Sequence, residues 1–193
     1  MKIQFMYKPR RPFVTLIFGC SITLLLIVLL AMPSYGVTAK EIDSGVDIAL
    51  KRFQKEVKGG KEFLENAKGV LIFPKVIKAG LGIGGEYGEG ALRINGRTVD
   101  YYSTAAGSIG IQLGGQTKIV IVCFMEDEAL KNFRNSAGWK GGVDGSVAMV
   151  NLGAGKSVDT ITIRDPIVGF VFGQQGLMFN ATLEGAKFTK LVR

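Results

Sequence analysis

Two glycine-rich stretches contain the residue types that bind phosphates. The GxGxxG pattern of dinucleotide sites fits residues 80–85 (GLGIGG), and residues 153–157 (GAGKS) resemble the end of a Walker A loop. Both motifs require a helix to begin at the glycines, because its N-terminus must face the phosphates. Strand patterns follow both stretches, and Val150 stands where the Walker motif needs its first glycine. We therefore expect no nucleotide and no other cofactor at either place.

The side chains that most enzymes use are scarce. Histidine is absent from the 193 residues, and the sequence shows neither a nucleophile elbow nor paired carboxylates on a recognisable scaffold. Asp144 lacks the neighbouring carboxylates that a metal site needs. We therefore expect a protein that is not an enzyme and that holds no metal.

A helix near the N-terminus carries the strongest candidates for binding. Apolar residues recur at helical spacing over residues 41–57, which predicts an amphipathic helix with Asp43 or Ser44 as its N-cap. Gly59-Gly60 is expected to end this helix, and a shorter helix is predicted over residues 61–68. The predicted inner face consists of Ile42, Val46, Ala49, Leu50, Phe53 and Val57.

Lys51, Lys55 and Lys58 form a stripe almost opposite the apolar face, and Ile48 lies beside it. One interpretation is a solvated face on a helix that docks on a sheet. The other is a set of ammonium groups that meets anionic lipid headgroups. The two interpretations are compatible, because the apolar face can pack while the lysines contact lipid.

The overall charge is misleading. The chain carries a formal charge of +8, but four of its basic residues and none of its acidic residues precede Lys40. The rest has 20 basic and 16 acidic residues, a net charge of +4. This mild excess does not predict nucleic-acid binding.

Most of the remaining chain has β-strand patterns. Apolar and small residues alternate over 77–84 and 108–114, which predicts strands with one face that is mostly glycine. Another sheet, a helix or a ligand is expected to approach that face closely. Asn95-Gly96 predicts a two-residue hairpin turn. Further strands are predicted over 70–73, ending at Pro74, and over 118–124, and a helix is predicted over 126–135. Trp139 is interpreted as a core plug in preference to a membrane-touching tip.

These elements predict an α+β fold. We expect a mainly antiparallel, glycine-rich sheet, curled into a barrel or a sandwich and covered by the N-terminal helices and the helix over 126–135. Cys123 lies in a continuous apolar run, so it is expected to be a small core residue.

The sequence of residues 67–93, AKGVLIFPKVIKAGLGIGGEYGEGALR, resembles the opening of the SYLF domain. This domain is the lipid-binding module of the yeast actin-patch (YSC84-related) proteins and of many bacterial envelope proteins. The resemblance covers nearly all of the chain after Ala39. It continues through the stretches 101–103 (YYS), 110–114 (GIQLG), 129–133 (ALKNF), 142–147 (GVDGSV) and 168–174 (VGFVFGQ).

The resemblance implies binding of anionic phospholipids or phosphoinositides at a membrane surface. It puts weight on the first helix, so lipid contact is expected at Lys51, Arg52, Lys55 and Lys58. Actin association in eukaryotic members uses additional segments, and no SH3 or FYVE extension is present here. The alternative is a structural or protein-interaction domain of the envelope that has no lipid ligand of its own.

Residues 1–39 have the pattern of a secretory signal. A basic head precedes an apolar run over residues 13–32, and Val37-Thr38-Ala39 supplies small residues for cleavage before Lys40. The run is nearly long enough to cross a bilayer, so an uncleaved anchor in the inner membrane is the alternative. Either way, residues 40–193 are expected to form a single exported domain in the periplasm or cell envelope.

Overall fold

A long β-hairpin organises the fold. The computed structural model of the chain describes residues 36–151, 165–176 and 185–193. Strand β1 (Gly69–Ile94) pairs with strand β2 (Arg97–Phe124) in antiparallel register from Gly69↔Phe124 to Ile94↔Arg97. Asn95 (φ 51°) and Gly96 (φ 75°) form the turn between them, and these positive angles are those of the hairpin turn that an Asn-Gly pair favours. The predicted hairpin is confirmed.

Four shorter strands extend this hairpin into one sheet. They are β3 (Trp139–Lys140), β4 (Ala148–Asn151), β5 (Ile167–Gly176) and β6 (Lys187–Leu191), in the order β3-β6-β2-β5-β4. Only the β4–β5 pair is parallel among the described strands. The sheet curls into a half-barrel, which confirms the predicted α+β class and the mainly antiparallel sheet.

Three helices accompany the sheet in the described part of the chain. Helices α1 (Ala39–Glu56) and α2 (Gly60–Asn66) precede β1, and helix α3 (Asp127–Asn135) follows β2. Residues 37–193 form one compact unit. None of the described helices has both the length and the apolar character of a membrane span.

The sheet carries a hydrophobic core on each face. One core lies under α1 and α2, where Phe53 and Phe63 contact the ring of Phe170 edge-on at centroid distances of 4.8 and 4.9 Å. The other core lies under α3 and includes Phe133 and Trp139. Trp139 is only 3% exposed, so its prediction as a core plug is confirmed. Cys123 is fully buried, as expected.

The prediction that Pro74 ends a strand is wrong. β1 continues through Pro74, and the register with β2 shifts between Phe73 and Val76. Proline lacks a donor for the strand ladder, and a bulge is one of the few places in a sheet that accommodates it. Because the bulge adds a residue to β1, it also reverses which side chains of the following segment face the core.

Glycine permits a close approach within β1 at Gly90, outside the two stretches for which the sequence predicts one. A Cβ atom placed on Gly90 would lie 2.1 Å from the carbonyl oxygen of Ile72, so the two halves of β1 are in backbone contact there. The two small-residue stretches are hydrogen-bonded neighbours within the hairpin, with Gly80 opposite Gly114 and Gly82 opposite Gly110.

Candidate functional site

Helix α1 begins earlier than the sequence pattern predicts. Its N-cap is Thr38, whose Oγ1 accepts a hydrogen bond from the Glu41 amide while the Glu41 carboxylate accepts one from the Thr38 amide at 2.8 Å. This is a capping box, and the hydrogen bonds from Thr38 lower the pKa of Glu41. The predicted caps are wrong because Asp43 and Ser44 have other partners. Asp43 accepts hydrogen bonds from the hydroxyls of Thr98 and Tyr101, both at 2.8 Å.

The apolar face of α1 packs on the sheet as predicted, with Ile42, Val46, Ala49 and Phe53 buried. Arg93 of β1 forms an ion pair with Asp47 of the helix, with 2.7 Å between Nη1 and Oδ1. Together with the Asp43 hydrogen bonds, this pair anchors the first half of α1 to the hairpin. The face of α1 opposite the sheet is therefore held in a fixed orientation toward solvent.

The structure separates the four predicted lipid-contacting residues into two groups. Lys51, Lys55 and Lys58 are exposed. Arg52 is partly exposed and pairs with Glu56, with 2.8 Å between Nε and Oε1. In the described part of the chain, Lys51 and Lys55 make no ion pair, so their charge is not compensated locally. The stripe is consequently cationic at Lys51 and Lys55 and close to neutral at Arg52.

A groove of about 510 Å³ runs beside this stripe, between α1 and β1. Large apolar side chains at its edge remain in contact with solvent: Val37 is 46% exposed, Ile48 61%, Ile77 47% and Tyr87 51%. The remaining lining residues are Glu41, Ile42, Gly45, Ala49, Arg52, Pro74, Lys75, Gly88, Glu89 and Ile119. Single exposed apolar residues are ordinary, but a group of them around one cavity indicates a binding surface.

Sequence reasoning missed this groove, although it placed Ile48 beside the lysines. The alternation from Ile77 onward predicts a strand with one glycine face, but it does not predict which face meets solvent. The bulge at Pro74 instead directs Ile77 outward, where it is 47% exposed, and leaves Lys78 only 12% exposed. The proline at the start of the alternating segment was the only sequence feature that could have indicated this reversal.

The acidic groups around the groove already have partners. Glu41 belongs to the capping box. Glu89 accepts hydrogen bonds from the Tyr87 hydroxyl at 2.8 Å and from Arg193 at 2.6 Å. Partial burial and the neighbouring Glu89 raise the pKa of Tyr87. Lys75 is exposed and has no ion pair within the described residues, so the uncompensated charge at the groove is positive.

A second polar cluster lies on the opposite face of the sheet, in the curled part of the hairpin. Nζ of Lys118, whose side chain is 1% exposed, lies 2.5 Å from Oε2 of Glu86, and Nζ of Lys78 lies 3.3 Å from Oε1. Lys118 and Glu86 are close enough to form an ion pair, although the angles at Nζ and Oε2 are not those of a hydrogen bond. The side-chain amide of Gln116 is also buried and has no hydrogen-bond partner within the described part of the chain. No group of His, Cys, Asp or Glu side chains in the described ranges has the arrangement of a metal site.

Comparison with protein families identifies the second half of the chain. Residues 105–191 match the model of a family described as Ysc84, Las17-binding protein actin regulator. This match is consistent with a SYLF domain, the family that the sequence resembles. The matched segment begins within β2 and ends with β6, so α1 and β1 precede the matched part of the Ysc84 domain. A comparison with curated proteins gives no match.

Proposed function

We propose that this Ysc84 family domain binds anionic phospholipid headgroups at a membrane surface of the cell envelope, and that it does so without catalysing a reaction. The observation that carries the proposal is the state of Lys51 and Lys55. Both are exposed and lack ion pairs within the described residues, and they lie on a helix whose other face is fixed to the sheet. The resemblance to lipid-binding SYLF modules supports the same conclusion.

The expected affinity is low and depends on salt. A lysine near an anionic membrane contributes about 1 kcal/mol, so Lys51 and Lys55 together contribute about 2 kcal/mol. The exposed cation Lys75 can add to this. Arg52 contributes less, because it must share its charge with Glu56. Screening at an ionic strength of about 1 M shortens the Debye length to about 3 Å, which should remove most of this attraction.

Charge reversal tests the proposal. The variant Lys51→Glu/Lys55→Glu should lose sedimentation with phosphatidylglycerol vesicles at low salt, while its circular dichroism and urea unfolding remain those of the parent. The matched control is Lys131→Glu/Lys140→Glu, which makes the same change in net charge at two exposed lysines away from α1. Equal loss in both variants would show that only net charge matters. Unchanged sedimentation of the α1 variant would refute the site and favour a structural or interaction domain.

A further inference from the structure

The groove beside α1 is lined mainly by apolar side chains and lies next to the cationic stripe. Four of the α1 residues that line it follow one row at spacings of three and four residues: Glu41, Gly45, Ile48 and Arg52. The next position in this row is Lys55, which is exposed. The row therefore leads from an apolar groove directly onto the cationic stripe.

The chemistry of the lining favours a hydrocarbon chain. Ile48, Ile77 and Tyr87 present apolar surface to solvent around the cavity, while Glu41 and Glu89 are engaged by neighbouring groups. A bound peptide would bring backbone N–H and C=O groups that need hydrogen-bond partners. The described lining has few unused polar groups to offer them. An alkyl chain makes no such demand, and the volume of about 510 Å³ lies within the usual range of ligand sites.

We propose that the groove holds one acyl chain of an anionic phospholipid, with the phosphate of that lipid at the Arg52–Lys55 end. The inference rests on the proposed function and extends it, because it assigns the hydrocarbon part of the lipid as well as its headgroup. The charge of the site is complementary to such a lipid, since the cations Lys55 and Lys75 lack ion pairs among the described residues. Lipid association then has two components. Headgroup attraction weakens with salt, whereas burial of the chain does not.

Photolabelling of the full chain tests this placement. The protein is reconstituted with phosphatidylglycerol–phosphatidylcholine vesicles that contain a trace of phosphatidylglycerol with a diazirine in one acyl chain. After irradiation and proteolysis, mass spectrometry locates the labelled peptides. Labels are expected in the segments 41–52 and 74–89, and they should persist at high salt. Labels from the apolar run at 13–32 fall on different peptides and do not interfere.

Two substitutions and a matched control make the test specific. Ile48→Gln/Ile77→Thr should lower labelling of both groove segments at least fivefold. The fold should survive, because these side chains are 61% and 47% exposed. Val99→Thr is the control, since Val99 is a strand residue with nearly the exposure of Ile77 (42% against 47%) that does not line the groove. Its labelling should match that of the parent.

The outcomes distinguish the two proposals. Charge-selective vesicle binding without groove labelling would overturn the acyl-chain inference and leave the headgroup proposal standing. Equal labelling by a diazirine phosphatidylcholine would overturn the placement of an anionic headgroup. A dimer in sedimentation equilibrium that Ile48→Gln/Ile77→Thr dissolves would show that a second copy covers the groove, and would also overturn the inference. Absence of vesicle association at any salt concentration would refute the proposed function and, with it, the inference.

Discussion

The buried charges of the hairpin give the sharpest test of the fold. Glu86 is the only acidic partner of Lys78 and Lys118 within the described residues, at N–O distances of 3.3 and 2.5 Å. With an effective dielectric constant of about 20, these contacts have gross attractions of about 5 and about 7 kcal/mol. Desolvation offsets much of this, but removing one partner from a buried pair typically costs about 3–5 kcal/mol, because the other charge remains buried.

The three charged residues should therefore respond unequally. Glu86→Gln keeps the shape but leaves two cations without a counter-charge, so we expect a loss of about 3–5 kcal/mol in the free energy of unfolding. Lys118→Met keeps the aliphatic stem and leaves Glu86 paired with Lys78. This volume-conserving change should cost less than about 1.5 kcal/mol. The double variant should be more stable than Glu86→Gln alone, because the most deeply buried cation is then absent.

Urea unfolding monitored by circular dichroism and tryptophan fluorescence measures these differences. Comparable slopes with denaturant concentration would show that the variants expose similar surface on unfolding. For a domain of this size, the loss predicted for Glu86→Gln corresponds to a decrease of about 6–20 °C in the melting temperature. The reasoning is wrong if Glu86→Gln costs less than about 1 kcal/mol, if Lys118→Met costs more than Glu86→Gln, or if the double variant regains no stability.

Three further predictions follow from single residues. Thr38→Ala should lower the free energy of unfolding by about 1 kcal/mol, because the helix loses its cap. Thr38→Ser keeps the hydroxyl and should have little effect. Thermal unfolding of both variants tests the capping box. Gly90→Ala should prevent or severely weaken folding, because the added Cβ would lie 2.1 Å from a backbone oxygen. Gly107→Ala is the control and should be tolerated, because the space around Gly107 is open. Soluble yield and circular dichroism measure both effects. Burial raises the pKa of Cys123 to about 12, so in the domain without residues 1–35 this thiol should react with Ellman's reagent only on unfolding. The thiol of the unfolded chain has a pKa of about 8.5. The stability that the buried, neutral thiol contributes is therefore present below that pH and should be lost as the pH rises toward 12. Urea unfolding at a series of alkaline pH values would detect this loss.

Local sequence patterns predicted the elements whose causes are local. The 3.6-residue period placed the buried face of α1, the Asn95-Gly96 pair placed the hairpin turn, and the unbroken apolar run to Phe124 placed a strand buried on both faces. Thr38 was overlooked as a cap because it lies inside a segment that also fits a cleavage site. Its Glu41 partner three residues later is the signature that could have identified it.

The features that depend on long-range geometry were not predictable in this way. The inward position of Lys78 follows from a one-residue bulge, and its contact with Glu86 follows from the curl of β1. No periodicity in the sequence gives the magnitude of that curl. The groove has the same origin, since it forms only where α1 crosses a strand whose faces the bulge has exchanged. Arg52 is the one of the four predicted lipid-contacting residues whose partner the sequence could have indicated. Its pairing with Glu56 follows from the i,i+4 spacing of opposite charges.

The capping box at the start of α1 spans the cleavage site that the sequence predicts. Cleavage before Lys40, which the small residues at positions 37–39 predict, would separate Thr38 from Glu41. It would also place a new positively charged terminal amine at the positive end of the helix dipole and remove Val37 from the groove wall. A peptidase acting at that bond would therefore remove the cap of the helix, at a cost of about 1 kcal/mol. The cap is kept only if the chain is cut upstream of Thr38 or is not cut at all.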